Sequence, residues 1–177
     1  MVCTANICRS PTAAGLLALR AGPVSNSADV GSCGLLPGGR SVPPQVAAAA
    51  APFGVDLSDH RSTQISVEQL SGSDVVVTMT RQHLREVVVL LPDVWPRTFT
   101  LDELVRRGEG LGPRNGRQSI PDWLAEVHVG RHLEDIIGTS REGDIADPYG
   151  GPTAGYRRMA VTLADLVDRL AVLLWPT

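Results

Sequence analysis

The chain has 177 residues, of which 43% are hydrophobic and 20% charged, so its length suits one domain with a sizeable core. Its 16 basic and 19 acidic residues give a formal charge of −3, which excludes the basic footprint of a nucleic-acid-binding protein. No apolar run approaches the ~18 residues of a membrane span, and the N-terminus lacks the blocks of a signal peptide. Three cysteines are too few for a disulfide scaffold, which favours a reducing, cytoplasmic location.

Hydrophobic patterning predicts helices and strands that alternate along the chain. The apolar run 74–79 has the length of a buried parallel strand, and 97–100 is a second, shorter strand. Over 156–174, apolar residues recur every three or four positions, which predicts an amphipathic helix of about five turns. This alternation is typical of α/β proteins with a mainly parallel sheet, in which sites lie beyond the carboxyl ends of the strands. Further helices are predicted over 46–51, 81–91, 101–107 and within 120–137, with an exposed glycine-rich loop over 108–116.

Lysine is absent from the chain, and all 16 basic residues are arginine. This excludes a P-loop lysine, Schiff-base chemistry and a lysine general base. Any anion site must therefore use arginine side chains, backbone N–H groups or a helix end. No nucleic-acid or membrane partner is expected, and the sequence does not indicate an oligomeric state.

The residues with catalytic chemistry are concentrated between Cys3 and Pro11, in the sequence CTANICRSP. Ser10 suits the N-cap of a helix and Pro11 its first position, so the loop before them opens onto a helix N-terminus, which favours an anion. Such a setting favours the thiolate, nucleophilic form of Cys3. Arg9 can donate two parallel N–H groups to phosphate oxygens, and the Ser10 hydroxyl can donate to the Cys3 sulfur.

A candidate acid, Asp147, lies near the C-terminus and is followed by Pro148 and Tyr149. Because a following proline biases a residue away from helical geometry, Asp147 is expected to project from a loop, where its carboxylic acid can protonate a leaving oxygen. Tyr149 is expected to form an apolar wall for an aromatic substrate. Asp144 is a rival acid that lacks the following proline.

These residues together resemble the low-molecular-weight protein tyrosine phosphatase family. The family opens with a CxxNxCRS loop, present here as Cys3, Asn6, Cys8, Arg9 and Ser10, and closes with an Asp-Pro loop before a final helix. The resemblance spans nearly the whole chain. It implies a three-layer α/β fold in which helices flank a central four-stranded, mainly parallel sheet. It also implies a hydrolase that needs no metal and no cofactor.

The resemblance implies a role for each residue of the site. Cys3 would attack phosphorus and form a phosphocysteine, Arg9 would stabilise the transition-state oxygens, and Asp147 would protonate the leaving tyrosyl oxygen. The substrate would be a phosphotyrosine-containing protein, and Asn6 would brace the loop in a strained shape. The implied substrate-binding residues are Thr4, Ala5, Asn6, Ile7, Cys8, Ser10 and Tyr149, with Ser27 and His60 as supporting residues.

Two features depart from the family pattern. Only Met1 and Val2 precede Cys3, where the family has a hydrophobic strand, so we expect the recorded start to lie downstream of the true one. At the recorded length, the sheet would lack most of its middle strand, and the protein would be poorly stable or inactive. The stretch 101–143 exceeds what a compact member needs and is expected to add a loop or helix at the site rim. We interpret residues 1–177 as a single domain.

Other interpretations remain open. A relative with impaired catalysis would bind phosphate or a partner without turnover. An arsenate reductase of the same fold would need two further cysteines, whereas this chain has only Cys33 beyond the loop. Protein-arginine phosphatases of the family carry threonine at the position of Ile7, so isoleucine favours phosphotyrosine. Cys8 is either a redox partner that forms a reversible disulfide with Cys3 or a small buried loop residue.

Overall fold

Four parallel strands form the centre of the fold. A computed structural model describes residues 1–22, 28–137 and 140–176. Its strands are β1 (Val2–Cys3), β2 (Cys33–Gly34), β3 (Val76–Thr78) and β4 (Thr98–Thr100). Their order in the sheet is β2-β1-β3-β4, and every neighbouring pair is parallel. This confirms the predicted α/β class with a central four-stranded parallel sheet.

Helices connect the strands and cover both faces of the sheet. None of those in the described ranges is both long and apolar enough to cross a bilayer. The α-helices are α1 (Arg9–Ala21), α2 (Pro44–Ala50), α3 (Val67–Ser71), α4 (Arg81–Leu90), α5 (Leu101–Leu111), α6 (Ile120–His128) and α7 (Thr153–Leu174). Short 3-10 helices cover Ala51–Phe53, Pro92–Arg97 and Leu133–Ile136.

Side chains of the strands alternate between two apolar clusters, as the period of two in a β-strand requires. Val2 and Val76 lie in the smaller cluster, together with buried side chains of α3 and α4. Cys3 and Val77, the next residues along each strand, lie in the larger cluster with side chains of α1, α2, α5, α6 and α7. Because fully burying one large aliphatic side chain contributes about 1.5–3 kcal/mol, the two clusters together hold the sheet in the middle of three layers.

The larger cluster is built along α7, and α1, α2 and α5 all pack against this helix. Its buried residues recur at the predicted spacing, from Tyr156 through Leu163 to Leu170. One face of a 22-residue helix therefore joins the segment that carries Asp147 to the helix that follows the cysteine loop.

Helix α5 is longer than predicted, because the expected loop over 108–116 begins only after Leu111. Gly108 lies within the helix at a close contact: a Cβ atom there would lie 2.8 Å from Leu173 Cδ1 and 2.9 Å from the Trp123 ring. The glycine thus permits α5 to approach α6 and α7, and the packing outweighs its low helix propensity. The interpretation of residues 1–177 as one domain stays a prediction.

Strand β1 has only two residues, yet it bonds to neighbours on both sides. Cys33 N donates to the Met1 carbonyl at 3.0 Å, and Met79 N donates to the Val2 carbonyl at 3.0 Å. Leu35 N donates to the Cys3 carbonyl at 3.2 Å. These bonds place Cys3 at the carboxyl edge of the sheet, where the chain turns into the cysteine loop.

Candidate active site

The loop between β1 and α1 has one strained residue at its centre. Asn6 has a φ of +53°, a left-handed conformation that few residues other than glycine adopt. Such a conformation costs of the order of 1 kcal/mol or more, so the surrounding contacts must hold it.

Four hydrogen bonds fix Asn6, which is fully buried. Its Nδ2 donates to Ser10 Oγ at 2.9 Å and to Ser32 Oγ at 2.8 Å, and its Oδ1 accepts from Thr63 N at 2.9 Å. His60 Nε2 donates to the Asn6 carbonyl oxygen at 2.8 Å. Both ends of the amide are therefore hydrogen-bonded, and these bonds connect the loop to Ser32 before β2 and to residues 60–63.

The predicted supporting residue Ser27 lies outside the described residues, whereas Ser32 makes a contact of the predicted kind. Ser32 precedes β2, in a Ser-Cys-Gly sequence that was not singled out from the sequence. The glycine of this sequence is the feature from which the contact could have been predicted. A Cβ atom at Gly34 would lie 2.7 Å from Asn6 N and 2.9 Å from the Ala5 carbonyl carbon. A small residue is needed where the loop crosses β2.

The Ser10 hydroxyl contacts the Cys3 sulfur at 3.0 Å, as expected, and also donates to the Cys33 carbonyl oxygen at 3.3 Å. Because Asn6 Nδ2 donates to Ser10 Oγ, the sulfur and the Cys33 carbonyl are the two acceptors that share the one hydroxyl proton. Ser10 is not the helix N-cap, so that prediction is wrong. The helix begins at Arg9 after Cys8, and the hydroxyl serves the loop instead.

Cys8 and Cys33 differ chemically from a reactive thiol. Burial raises the pKa of the Cys8 thiol to about 12, and the nearby Asp147 carboxylate adds to this effect. Burial also raises the pKa of Cys33. All three cysteines are free, and these two carry neutral thiols at physiological pH. The Cys3–Cys8 disulfide stays a prediction.

Arg9 closes the loop with a guanidinium that is almost fully buried. Its Nη1 donates to the Ile145 carbonyl at 3.2 Å, and its Nη2 donates to Thr4 Oγ1 at 3.3 Å and to Asp147 Oδ2 at 2.6 Å. Its Nε finds no hydrogen-bond acceptor in the described part of the chain. A buried donor without a partner costs about 1–3 kcal/mol, so the Nε edge is suited to an incoming oxyanion.

The Arg9–Asp147 ion pair thus joins two residues that lie 138 positions apart in the sequence. The loop that carries Asp147 is anchored on both sides: Ile145 N donates to the Met79 carbonyl at 2.9 Å, and Tyr149 N donates to Asp147 Oδ1 at 3.1 Å. The side chain of Asp147 stays 46% exposed, which leaves room for its carboxyl group to reorient. The rival acid Asp144 accepts instead from the backbone N–H of Arg81, at 2.8 Å.

Tyr149 stands at the rim, where its side chain is exposed. The guanidinium carbon of Arg40 lies 5.9 Å from the centre of its ring, and Arg40 Nη2 donates to the hydroxyl at 3.4 Å. The aromatic wall predicted from Tyr149 therefore has a cationic neighbour that sequence reasoning missed.

The remaining predicted loop residues have different surroundings. Ile7 is 4% exposed and packs in the larger apolar cluster, against which Ala5 is partly buried. Thr4 bridges Arg9 and His83, because its Oγ1 also lies 2.9 Å from His83 Nε2. His83 is a further residue that the sequence did not reveal, since it lies 79 positions away.

A thiol at the carboxyl edge of a parallel sheet, in a loop closed by a buried arginine that is paired with a carboxylate, is typical of a phosphatase class of site. The family model described as "Low molecular weight phosphotyrosine protein phosphatase" matches residues 1–109. The chain belongs to this family and is a protein phosphatase, hence a hydrolase. The resemblance predicted from the sequence is confirmed.

Relatives of two substrate classes are similar to the chain. A protein-arginine-phosphatase of Geobacillus stearothermophilus is 30% identical over 96% of this chain and 90% of its own length. A probable low molecular weight protein-tyrosine-phosphatase of Ralstonia solanacearum is 31% identical, over 73% of this chain and 88% of its own. The crystal structure of a low molecular weight protein tyrosine phosphatase from T. tengcongensis is 28% identical and superposes with a TM-score of 0.70, covering 96% of this chain and 93% of that one.

Proposed function

We propose that the chain hydrolyses phosphotyrosine on proteins through a phosphocysteine intermediate at Cys3. One observation supports the proposal: Arg9, in the loop that starts at Cys3, keeps a buried Nε edge without an acceptor among the described residues, and its Nη2 binds the Asp147 carboxylate from the far end of the chain. Nucleophile, oxyanion holder and acid are the three groups that phosphoryl transfer through a covalent intermediate requires.

The reaction has two steps. First, the Cys3 thiolate attacks phosphorus and forms the S–P bond, while the P–O bond to the tyrosyl oxygen breaks and that oxygen takes the Asp147 proton. In the second step, Asp147 takes a proton from water, the oxygen of that water attacks phosphorus, and the S–P bond breaks. The products are the tyrosine phenol and inorganic phosphate. Arg9 and the backbone N–H groups of the loop bind the phosphoryl oxygens in both steps.

The substrate class rests on one wall of the site and on one loop residue. Exposed Tyr149 offers an aromatic surface to a phenyl ring. The resemblance implies a threonine in arginine phosphatases at the position of Ile7, whose side chain here packs in the larger apolar cluster. Phosphoarginine is the second candidate, because the arginine phosphatase of Geobacillus stearothermophilus matches nearly the whole chain. We further propose a reducing compartment, the cytoplasm, since all three cysteines are free thiols.

The two substrates can be compared directly on peptides of one sequence that carry either phosphotyrosine or phosphoarginine. We expect kcat/KM for phosphotyrosine to exceed that for phosphoarginine by at least about tenfold, the factor that one site contact of 1.4 kcal/mol provides. The Ile7→Thr variant is expected to lower this ratio. A ratio below one in the wild-type protein would favour the arginine phosphatase, and a folded protein that releases no phosphate from either peptide would favour a relative with impaired catalysis.

The role of Asp147 predicts a dependence on the leaving group. In Asp147→Asn, we expect kcat for phenyl phosphate to fall by about 10²–10³-fold, because the phenolate with a pKa near 10 leaves poorly without a proton. For p-nitrophenyl phosphate, whose leaving anion is a far weaker base, the loss should be clearly smaller. Steady-state rates on both esters provide the measurement.

Asp144→Asn is the matched control for this prediction. Its amide oxygen can still accept from Arg81 N, so the loop should stay anchored and both esters should react at nearly wild-type rates. A leaving-group dependence in Asp144→Asn, together with none in Asp147→Asn, would assign the acid role to Asp144.

A further inference from the structure

We propose that Thr4 and His83 are positioning residues that hold the Arg9 guanidinium in its phosphate-binding orientation. The inference rests on the proposed function, in which Arg9 binds the phosphoryl group. Thr4 Oγ1 accepts from Arg9 Nη2 at 3.3 Å and lies 2.9 Å from His83 Nε2, so the hydroxyl joins the loop to helix α4.

The imidazole can support this arrangement because it is neutral. His83 is 4% exposed, and burial, with a further contribution from the Arg9 charge, lowers its pKa to about 3. If Nε2 carries the proton, it occupies one lone pair of the Thr4 oxygen and leaves the other for Arg9. If Nε2 accepts the Thr4 proton, both lone pairs remain. In either tautomer, Thr4 can accept from the guanidinium.

A second observation indicates that His83 serves more than packing. Its Nδ1 is buried and has no hydrogen-bond partner within the described ranges. An unsatisfied buried polar atom costs about 1–3 kcal/mol, so an apolar side chain would suit this place better if packing were the only requirement. The backbone of His83 is fixed at the start of α4, since its N–H donates to Oγ1 of the N-cap residue Thr80 at 3.2 Å.

Arg9 needs a second acceptor because Asp147 has two roles: it binds Arg9 Nη2 in the structure, and it is the proposed acid for the leaving oxygen. In the structure, Asp147 Oδ2 and Thr4 Oγ1 share Arg9 Nη2. When Asp147 is protonated and turns to the leaving oxygen, it ceases to be a strong acceptor for Nη2. Thr4 then remains as the acceptor on that nitrogen, while the Ile145 carbonyl holds Nη1. The orientation of Arg9 is thereby kept through the step in which the acid leaves it.

The test compares Thr4→Val, Thr4→Ser, His83→Leu and the double variant Thr4→Val/His83→Leu. Steady-state kinetics with p-nitrophenyl phosphate and the inhibition constant of inorganic phosphate are measured, with direct phosphate titration and thermal unfolding in parallel. For Thr4→Val we expect kcat/KM to fall about tenfold and the phosphate constant to rise by a similar factor, as loss of a hydrogen bond to a charged group predicts. Thr4→Ser, which keeps the hydroxyl, should remain near wild type.

Coupling distinguishes positioning from a structural role. We expect His83→Leu to weaken phosphate binding without lowering the unfolding midpoint, because it also removes an unsatisfied nitrogen. The double variant should lose no more than Thr4→Val alone, whereas independent effects would give the product of the two single losses. Wild-type behaviour of Thr4→Val, equal losses in Thr4→Ser, or multiplied losses would each overturn the proposal. If wild-type protein binds phosphate but has no turnover, the proposed function fails, and the phosphate titration still decides the role of Thr4.

Discussion

Replacement of Cys3 by serine is expected to lower phosphatase turnover by ~10⁴-fold or more, the scale seen when an essential nucleophile is removed. Serine is close in size and can keep the hydrogen bond to Ser10, so the fold should survive. Its hydroxyl, however, needs a general base to become nucleophilic, and within the described part of the chain the hydrogen-bond partner of the Cys3 sulfur is the Ser10 hydroxyl, which is not a base. Turnover of p-nitrophenyl phosphate measures the loss, and titration with inorganic phosphate shows whether the anion still binds.

Cys33→Ala is the matched control for this substitution. Cys33 is also a buried free thiol, but it lies in the neighbouring strand β2 and its side chain packs in the smaller apolar cluster. We expect this variant to keep most of the activity with a modestly lower unfolding midpoint. Turnover retained in Cys3→Ser, or abolished in a folded Cys33→Ala, would remove Cys3 from the proposed role.

The second large effect is expected from Arg9→Lys, for which we predict a loss in kcat/KM of about 10²–10³-fold, the cost of removing an oxyanion donor. Lysine keeps the charge but loses the planar fork that donates at three separate nitrogens. The Arg9 nitrogens contact Thr4, Ile145 and Asp147 and leave Nε for the phosphoryl group, so one ammonium cannot replace them all. Activity and phosphate affinity should fall together.

Arg20→Lys provides the same chemical change at a site remote from catalysis. Arg20 forms an ion pair with Asp168 at 2.6 Å, and both side chains are substantially exposed, so its loss should cost well under 1 kcal/mol. We expect unchanged kinetics in this variant. Near-wild-type phosphate affinity in Arg9→Lys would contradict the assignment of Arg9 as the anion holder.

Local sequence patterns predicted the parts of the fold that depend on local physics. The spacing of apolar residues predicted α7, and the continuous apolar run predicted β3, because burial periodicity is visible within a few residues. Gly108 was read as the start of a loop, since its contact with Trp123 depends on how two helices pack. Strand β2 has two residues and gives no pattern long enough to recognise.

In the candidate site, too, local sequence indicated some residues, while others reach the loop only through the tertiary fold. Its loop lies within one short stretch, and the proline that follows Asp147 indicated a loop acid far along the chain. Ser32 and His83, by contrast, reach the loop only through the tertiary fold, from 26 and 79 positions away. Ser10 shows how a local rule can fail: serine before proline suits an N-cap, but the buried amide of Asn6 and the sulfur of Cys3 engage its hydroxyl first.

The short contact between Asp147 and Arg9 has a consequence for which ligands enter. An anion that binds at the Nε edge must compete for the Arg9 charge with a carboxylate that the chain itself carries on a tether, at an effective concentration of the order of millimolar or above. Singly charged ions such as chloride or acetate gain little over this internal competitor. A phosphoryl dianion, with more charge and three acceptor oxygens, gains the most. Selectivity against abundant cellular monoanions thus follows from a competition built into the polypeptide.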